Sequence, residues 1–178
     1  EVLPQDAARL AQKPEFKLYA TPIPGQPLQI FLNTQRAPTD DAQVRRALLL
    51  AVDRAGLVQA VFGGYSPAAT GPLSAATFGY SAEAGAPAHD PAQAAQQLAQ
   101  AGWQDSNGDG VLDKDGTDLS VDFVFGPFGL MPQAAQLIEA NWKEIGVKVN
   151  LTQAANFSAL RDAQASGRYG AIVINFSG

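Results

Sequence analysis

Three consecutive segments in the C-terminal half constrain the fold more than anything else in the chain. Leu119-Ser-Val-Asp-Phe-Val-Phe125 has strand composition, and Pro132 opens a helix carrying Leu137, Ile138, Trp142 and Ile145. After Gly146, Val147-Lys-Val-Asn-Leu151 alternates apolar and polar side chains as a half-buried strand does. Strand, helix and strand in that order, with a tight glycine turn before the last, make a βαβ unit. Its helix-length connection returns the second strand parallel to the first through a right-handed crossover. A chain containing this unit is expected to be α/β, with a mixed sheet flanked by helices.

The remaining segments extend that layout. Residues Glu1 to Gln26 read as irregular, with an edge strand at Phe16-Lys-Leu-Tyr-Ala20 and a Pro/Gly-rich connector after it. Leu28–Asn33 has strand composition. Asp40 or Asp41 can cap a helix in which Val44, Ala47, Leu48, Ala51 and Val52 recur at helical spacing. Asp53 can cap a shorter helix that Gly63-Gly64 stops. From Tyr65 to Ala88 no period is visible, and a loop of that length is usually functional. Asp90-Pro-Ala-Gln93 starts a further helix: an Asp cap, Pro at the first helical position, and a Gln placed to reach back. A short helix near Asn156–Ala165, Gly167, and a strand over Tyr169–Phe176 complete the pattern.

Composition narrows function by exclusion. The 178 residues carry 12 basic and 17 acidic side chains, for a net charge of −5 without any basic run, which argues against binding a nucleic-acid backbone. No apolar stretch approaches the roughly 18 residues of a membrane-spanning helix. The absence of cysteine removes disulfides, thiolate metal sites and cysteine nucleophiles together. The single histidine, His89, sits beside a helix cap and reads as solvated, so nucleophilic catalysis has little support. Among the 17 carboxylates no spacing singles out a catalytic pair. Asp105-Ser-Asn-Gly-Asp-Gly110 matches the first half of a calcium loop, but the twelfth position is Gly116 where a bidentate Glu belongs. A polar turn into the Leu119 strand is the better reading. Trp103 and Trp142 read as core residues. The start at Glu1, with neither Met nor an apolar leader, reads as a processed or excised piece.

Four segments, taken in order, resemble one known family. Phe31-Leu-Asn-Thr34 followed by Asp41-Ala-Gln-Val-Arg-Arg-Ala-Leu-Leu-Leu-Ala-Val-Asp-Arg54 is similar to a signature of the bacterial extracytoplasmic solute-binding proteins of family 5, the peptide/nickel class. Asp90 to Gly102-Trp103 resembles that family's Asp-Pro helix, Asp105 to Gly116 the turn after it, and Ile138 to Val149 its helix-to-strand step. Together the segments cover about residues 28–178.

The resemblance implies one lobe of a periplasmic-binding-protein type II-like fold. Residues 1–27 would be a hinge-side connector from the preceding lobe, and 28–178 an α/β substrate-binding lobe, incomplete relative to a longer parent. The parent's first lobe, signal peptide and end of the second lobe would lie outside this stretch. It further implies a non-enzymatic, cofactor-free component of an ABC importer that captures a peptide or similar small solute between two lobes. That component would be a periplasmic or extracytoplasmic monomer, meeting the membrane only through a lipid anchor and the importer permease. The implied ligand-binding residues are Tyr65, Asn156, Phe157, Asn175, Phe176 and Ser177. Family members grip extended ligands partly through main-chain hydrogen bonds. Peptide-binding relatives often carry Gly-Trp where this chain has Asn175-Phe176. Two readings from other classes stand beside this one: a calcium-stabilised extracytoplasmic interaction module, and a hydrolase using a carboxylate pair.

Overall fold

The computed structural model describes residues 2, 4–21, 25, 27–83 and 85–174. In chain order its elements are α1 (Pro4–Ala11), β1 (Gln29–Leu32), α2 (Ala42–Ala51), α3 (Arg54–Phe62), α4 (Pro91–Gln100), β2 (Asp113–Lys114), β3 (Thr117–Asp118), β4 (Ser120–Phe125), α5 (Met131–Glu144), β5 (Lys148–Gln153), α6 (Phe157–Ser166) and β6 (Ala171–Ile174). Two compact units emerge. One joins Leu28–Asp53 to Pro87–Ile174, and the other joins Glu1–Pro27, Arg54–Ala86 and Asn175–Gly178.

The first unit is built on a four-stranded mixed sheet in the order β1-β6-β4-β5. β4 pairs parallel with both β5 and β6, and β1 pairs antiparallel with β6. The βαβ unit expected from the sequence is therefore present, with Val121 opposite Val149 and Phe123 opposite Leu151. Alternation along β4 assigns its two faces. On one face Phe123 meets Trp142 of α5, with ring centroids 5.2 Å apart. Trp142 is 1% exposed, and its indole N–H donates to the Leu48 carbonyl at 3.0 Å, tying α5 to α2. Val44, Ala47, Leu48 and Ala51 of α2 are buried, as are Ala94 and Leu98 of α4. On the other face Leu160 of α6 closes a cluster with Val124, Ala154, Ile172 and Ile174. The face under α6 is apolar toward the carboxyl end of β4. Toward the amino end it turns polar: Arg36 pairs with Asp122 at 2.9 Å, and Asn150 donates to Ser120 and Asp122.

Caps set where the helices begin. Of the two candidate aspartates, Asp41 caps α2, accepting from the Gln43 N–H at 2.7 Å. Asp90 caps α4 by accepting from the Gln93 N–H at 2.8 Å. The Asp90 N–H is taken by the Leu50 carbonyl, at 2.9 Å, and not by the Gln93 side chain that the motif suggested. That bond joins the end of α2 to the start of α4 and satisfies a carbonyl in the last turn, which has no partner within the helix. Thr39 is a buried polar residue of this unit, its hydroxyl Oγ1 lying 2.7 Å from the Asn33 carbonyl oxygen and 2.9 Å from that of Arg36, so that its single proton is shared between them.

The second unit departs from the expectation for the N-terminal residues. Pro4–Ala11 is a helix, and Phe16–Ala20 is not a strand. Pro4 pre-sets the first helical φ, the following Ala, Arg and Leu are strong helix formers, and Asp6 pairs with Arg9 one turn on at 3.3 Å. A strand at Phe16–Ala20 would need a ladder partner, and no described strand pairs with it. Among the described residues from Tyr65 to Ala88 there is neither helix nor strand, as the missing period predicted. This loop is tied to Gly25 and to itself: Gly25 N–H donates to Thr77 Oγ1 at 2.8 Å, Ser74 N–H to the Gly25 carbonyl at 3.0 Å, and Ala86 N–H to the Thr70 carbonyl at 2.8 Å.

Candidate ligand-facing end of the sheet

Open α/β sheets bind ligands beyond the carboxyl ends of their strands, where loops converge and main-chain groups are not consumed by the ladder. Here those loops are Gly126–Leu130, between β4 and α5, and Ala154–Asn156, between β5 and α6. α6 starts where it does because Asn156 accepts from the Ala159 N–H at 2.9 Å. That cap places Phe157 at the first helical position, 57% exposed. Across from it stands Phe128, 40% exposed, with ring centroids 6.2 Å apart and planes at 65°, an edge-to-face pair. Gly126 makes the arrangement possible: a Cβ there would lie 2.7 Å from Cδ2 of the Phe128 ring and 3.3 Å from Leu160 Cδ2. No charged side chain occurs in 126–131 or in 153–160. Among the described residues, this end of the sheet offers apolar and aromatic surface.

Of the residues singled out from the sequence, Asn156 and Phe157 come together at this end. Tyr65 is 41% exposed and belongs to the other unit, its N–H donating to the Phe62 carbonyl at 3.0 Å. Asn175, Phe176 and Ser177 lie outside the described residues. Phe128 was missed by the sequence reading. Its signal was a large aromatic within Gly-Pro-Phe-Gly immediately after a strand, a turn composition that does not build core.

The calcium-like turn is occupied by its own backbone. Asp105 Oδ1 accepts from Gly108 and Asp109 N–H at 2.7 and 3.2 Å, and its Oδ2 from Gly110 N–H at 3.0 Å. Asp113 Oδ2 accepts from the Ser106 hydroxyl and N–H at 2.6 and 3.0 Å. Asp115 and Gly116, at φ 52° and 75°, then turn the short β2–β3 hairpin, a backbone that needs two left-handed residues. Among the described residues no three His, Cys, Asp or Glu side chains converge as metal ligands. The Ser106 hydroxyl, and next its N–H, hold the Asp113 carboxyl below the usual aspartate range. A depressed carboxyl favours the folded turn above the ordinary aspartate value of about 4 and loses that contribution as pH falls through the depressed one. Ser106→Ala is expected to return the Asp113 titration toward the ordinary value. A carbon-detected NMR titration reads this directly, and an unchanged midpoint would show that the hydroxyl is not the cause.

A three-layer α/β unit with its loops gathered at the carboxyl end of a mixed sheet is the fold of the type II periplasmic binding proteins. The oligopeptide-binding protein AppA of Bacillus subtilis, solved in complex with a nonapeptide, superposes at a TM-score of 0.86 with 28% identity, over 99% of this chain and 36% of that one. NikA from Brucella suis, solved with Fe(III)-EDTA, shares the fold at a TM-score of 0.81 and 24% identity, over 98% of this chain and 35% of that one. The family model for bacterial extracellular solute-binding proteins, family 5 Middle, matches residues 1–178, and the chain belongs to that family. Among curated relatives, the nickel-binding periplasmic protein of Escherichia coli is 32% identical over 175 residues, covering 96% of this chain and 33% of its own. AppA of Bacillus subtilis is 36% identical over 123 residues, covering 67% and 22%. The chain thus spans a third or less of the curated relatives it matches. These relatives are named for binding solutes, and nothing among them supports a calcium-stabilised interaction module.

Proposed function

We propose that this chain is part of the substrate-binding component of an ABC importer, one that captures peptides or similar small solutes between two lobes. The observation that carries this reading is the open, uncharged aromatic end of the sheet in a chain of family 5. Residues 1–27 serve as the connector from a preceding lobe, and 28–178 as part of the substrate-binding lobe. Phe157, positioned by Asn156, and Phe128 line the ligand, and Tyr65 of the long loop is a further ligand-binding residue in this reading. Asn175, Phe176 and Ser177, next in sequence after β6, are further ligand-binding residues in this reading, through main-chain groups offered to an extended ligand. The work is binding and release, without a chemical step. It takes place outside the cytoplasm, on a monomer that hands its solute to the permease and can be held at the membrane by a lipid anchor.

Native mass spectrometry of the full-length protein is expected to show a co-purified small solute or peptide that is lost on partial unfolding. The 178-residue stretch alone is expected to bind that solute weakly, because half a cleft leaves most of the ligand surface in water. Submicromolar affinity in this stretch alone would contradict the two-lobed capture.

A further inference from the structure

We propose that Phe128 and Phe157 form a selectivity wall, seated by Gly126, which makes this site favour ligands that carry an aromatic side chain. The inference rests on the binding reading above and adds to it the chemistry of what is bound.

Three observations support it. Neither ring belongs to the apolar cluster of Val124, Ala154, Leu160, Ile172 and Ile174 beneath them, so core formation does not account for two half-exposed phenylalanines side by side. The rings stand edge to face at 6.2 Å, the preferred geometry for aromatic pairs, which leaves ring faces and edges available to a third ring. Finally, the seat is specific. Phe128 lies against the bare α-carbon of Gly126, at a distance that any Cβ would close to 2.7 Å. Gly126 has no positive φ to explain a glycine there, so the requirement comes from the ring above it.

The surrounding chemistry defines the ligand further. With no charged side chain in 126–131 or 153–160, this wall cannot read a ligand's charged ends. It reads shape and polarisable surface. An aromatic side chain on a ligand would replace water against both rings, and such apolar discrimination typically amounts to about 10- to 200-fold. Specificity is a ratio of affinities, so a uniform weakening of all ligands is not evidence for it.

The test uses the full-length protein and isothermal titration with tri-alanine and with three tripeptides that carry one Phe at each position in turn. One Phe peptide is expected to bind about tenfold more tightly than tri-alanine. In Phe128→Ala and in Phe157→Ala that ratio is expected to fall to within about threefold, and in Phe128→Tyr to persist. Gly126→Ala is expected to lower the ratio as Phe128→Ala does, with the melting temperature nearly unchanged, because it displaces the ring and leaves the sheet intact. A ratio that survives both phenylalanine-to-alanine changes, or peptides that bind without preferring Phe, would overturn the wall while leaving peptide capture standing. Failure of every peptide to bind would reject the peptide reading and this inference together.

Discussion

Trp142→Ala is expected to destabilise the sheet-bearing unit by about 3–5 kcal/mol, the usual range for removing a large aromatic from a core. Two separate contributions are lost. One is packing: the indole fills the space between β4 and α2, 1% exposed and 5.2 Å from the Phe123 ring. The other is polar. Leu48 lies in the last turn of α2, where carbonyls have no partner within the helix, and the Trp142 N–H supplies one at 3.0 Å. Without the indole, that carbonyl faces a cavity. Trp142→Phe separates the two contributions, since it keeps a ring and deletes the donor, and it is expected to cost about 1–3 kcal/mol. Urea unfolding followed by far-ultraviolet circular dichroism measures both. A loss under 1 kcal/mol in the alanine variant would show that α2 and α5 do not depend on this contact.

Gly146→Ala is expected to be the second large effect, about 2–4 kcal/mol, from two causes that add. Gly146 sits at φ +81°, where a side chain strains the backbone. Its missing Cβ would also lie 2.6 Å from Leu112 Cγ, and the Leu112 N–H is bonded to the Gly146 carbonyl at 2.8 Å, so the two segments cannot separate freely. In a Leu112→Ala background the clash disappears and the backbone strain remains. The cost of Gly146→Ala is expected to fall there to about 1–2 kcal/mol. An equal cost in both backgrounds would place the whole effect in the backbone.

The two residues illustrate how differently parts of this protein can be read from its sequence. Gly146 announces itself, because a glycine between a helix period and an alternating run has few structural meanings. The caps at Asp41 and Asp90 and the stop at Gly63-Gly64 are legible for the same reason: each is a local solution to unsatisfied backbone groups or to a left-handed turn. The helix at Pro4–Ala11 was also locally encoded but was obscured by the Pro/Gly-rich residues that follow it. The short β2–β3 hairpin has only two residues per strand, too few to show a period. Strand order is a different matter. The placement of β6 between β1 and β4, with opposite directions to its two neighbours, depends on pairings 48 residues apart in sequence with β4 and 139 to 145 apart with β1.

Local chemistry within the sequence thus determined the α/β class, the parallel βαβ unit, most helix boundaries and the family resemblance that the comparisons then established. These depend on periodicity, capping and turn residues, which act over a few positions. The tertiary structure alone decided that Phe128 meets Phe157 and that Gly126 makes room for the ring. It also decided that the Asp105 turn uses its carboxylates on its own backbone and that Trp142 serves α2 as a hydrogen-bond donor. Exposure, ring geometry and the partner of a buried N–H are properties of what surrounds a residue. A residue's surroundings exist only once distant segments have packed together.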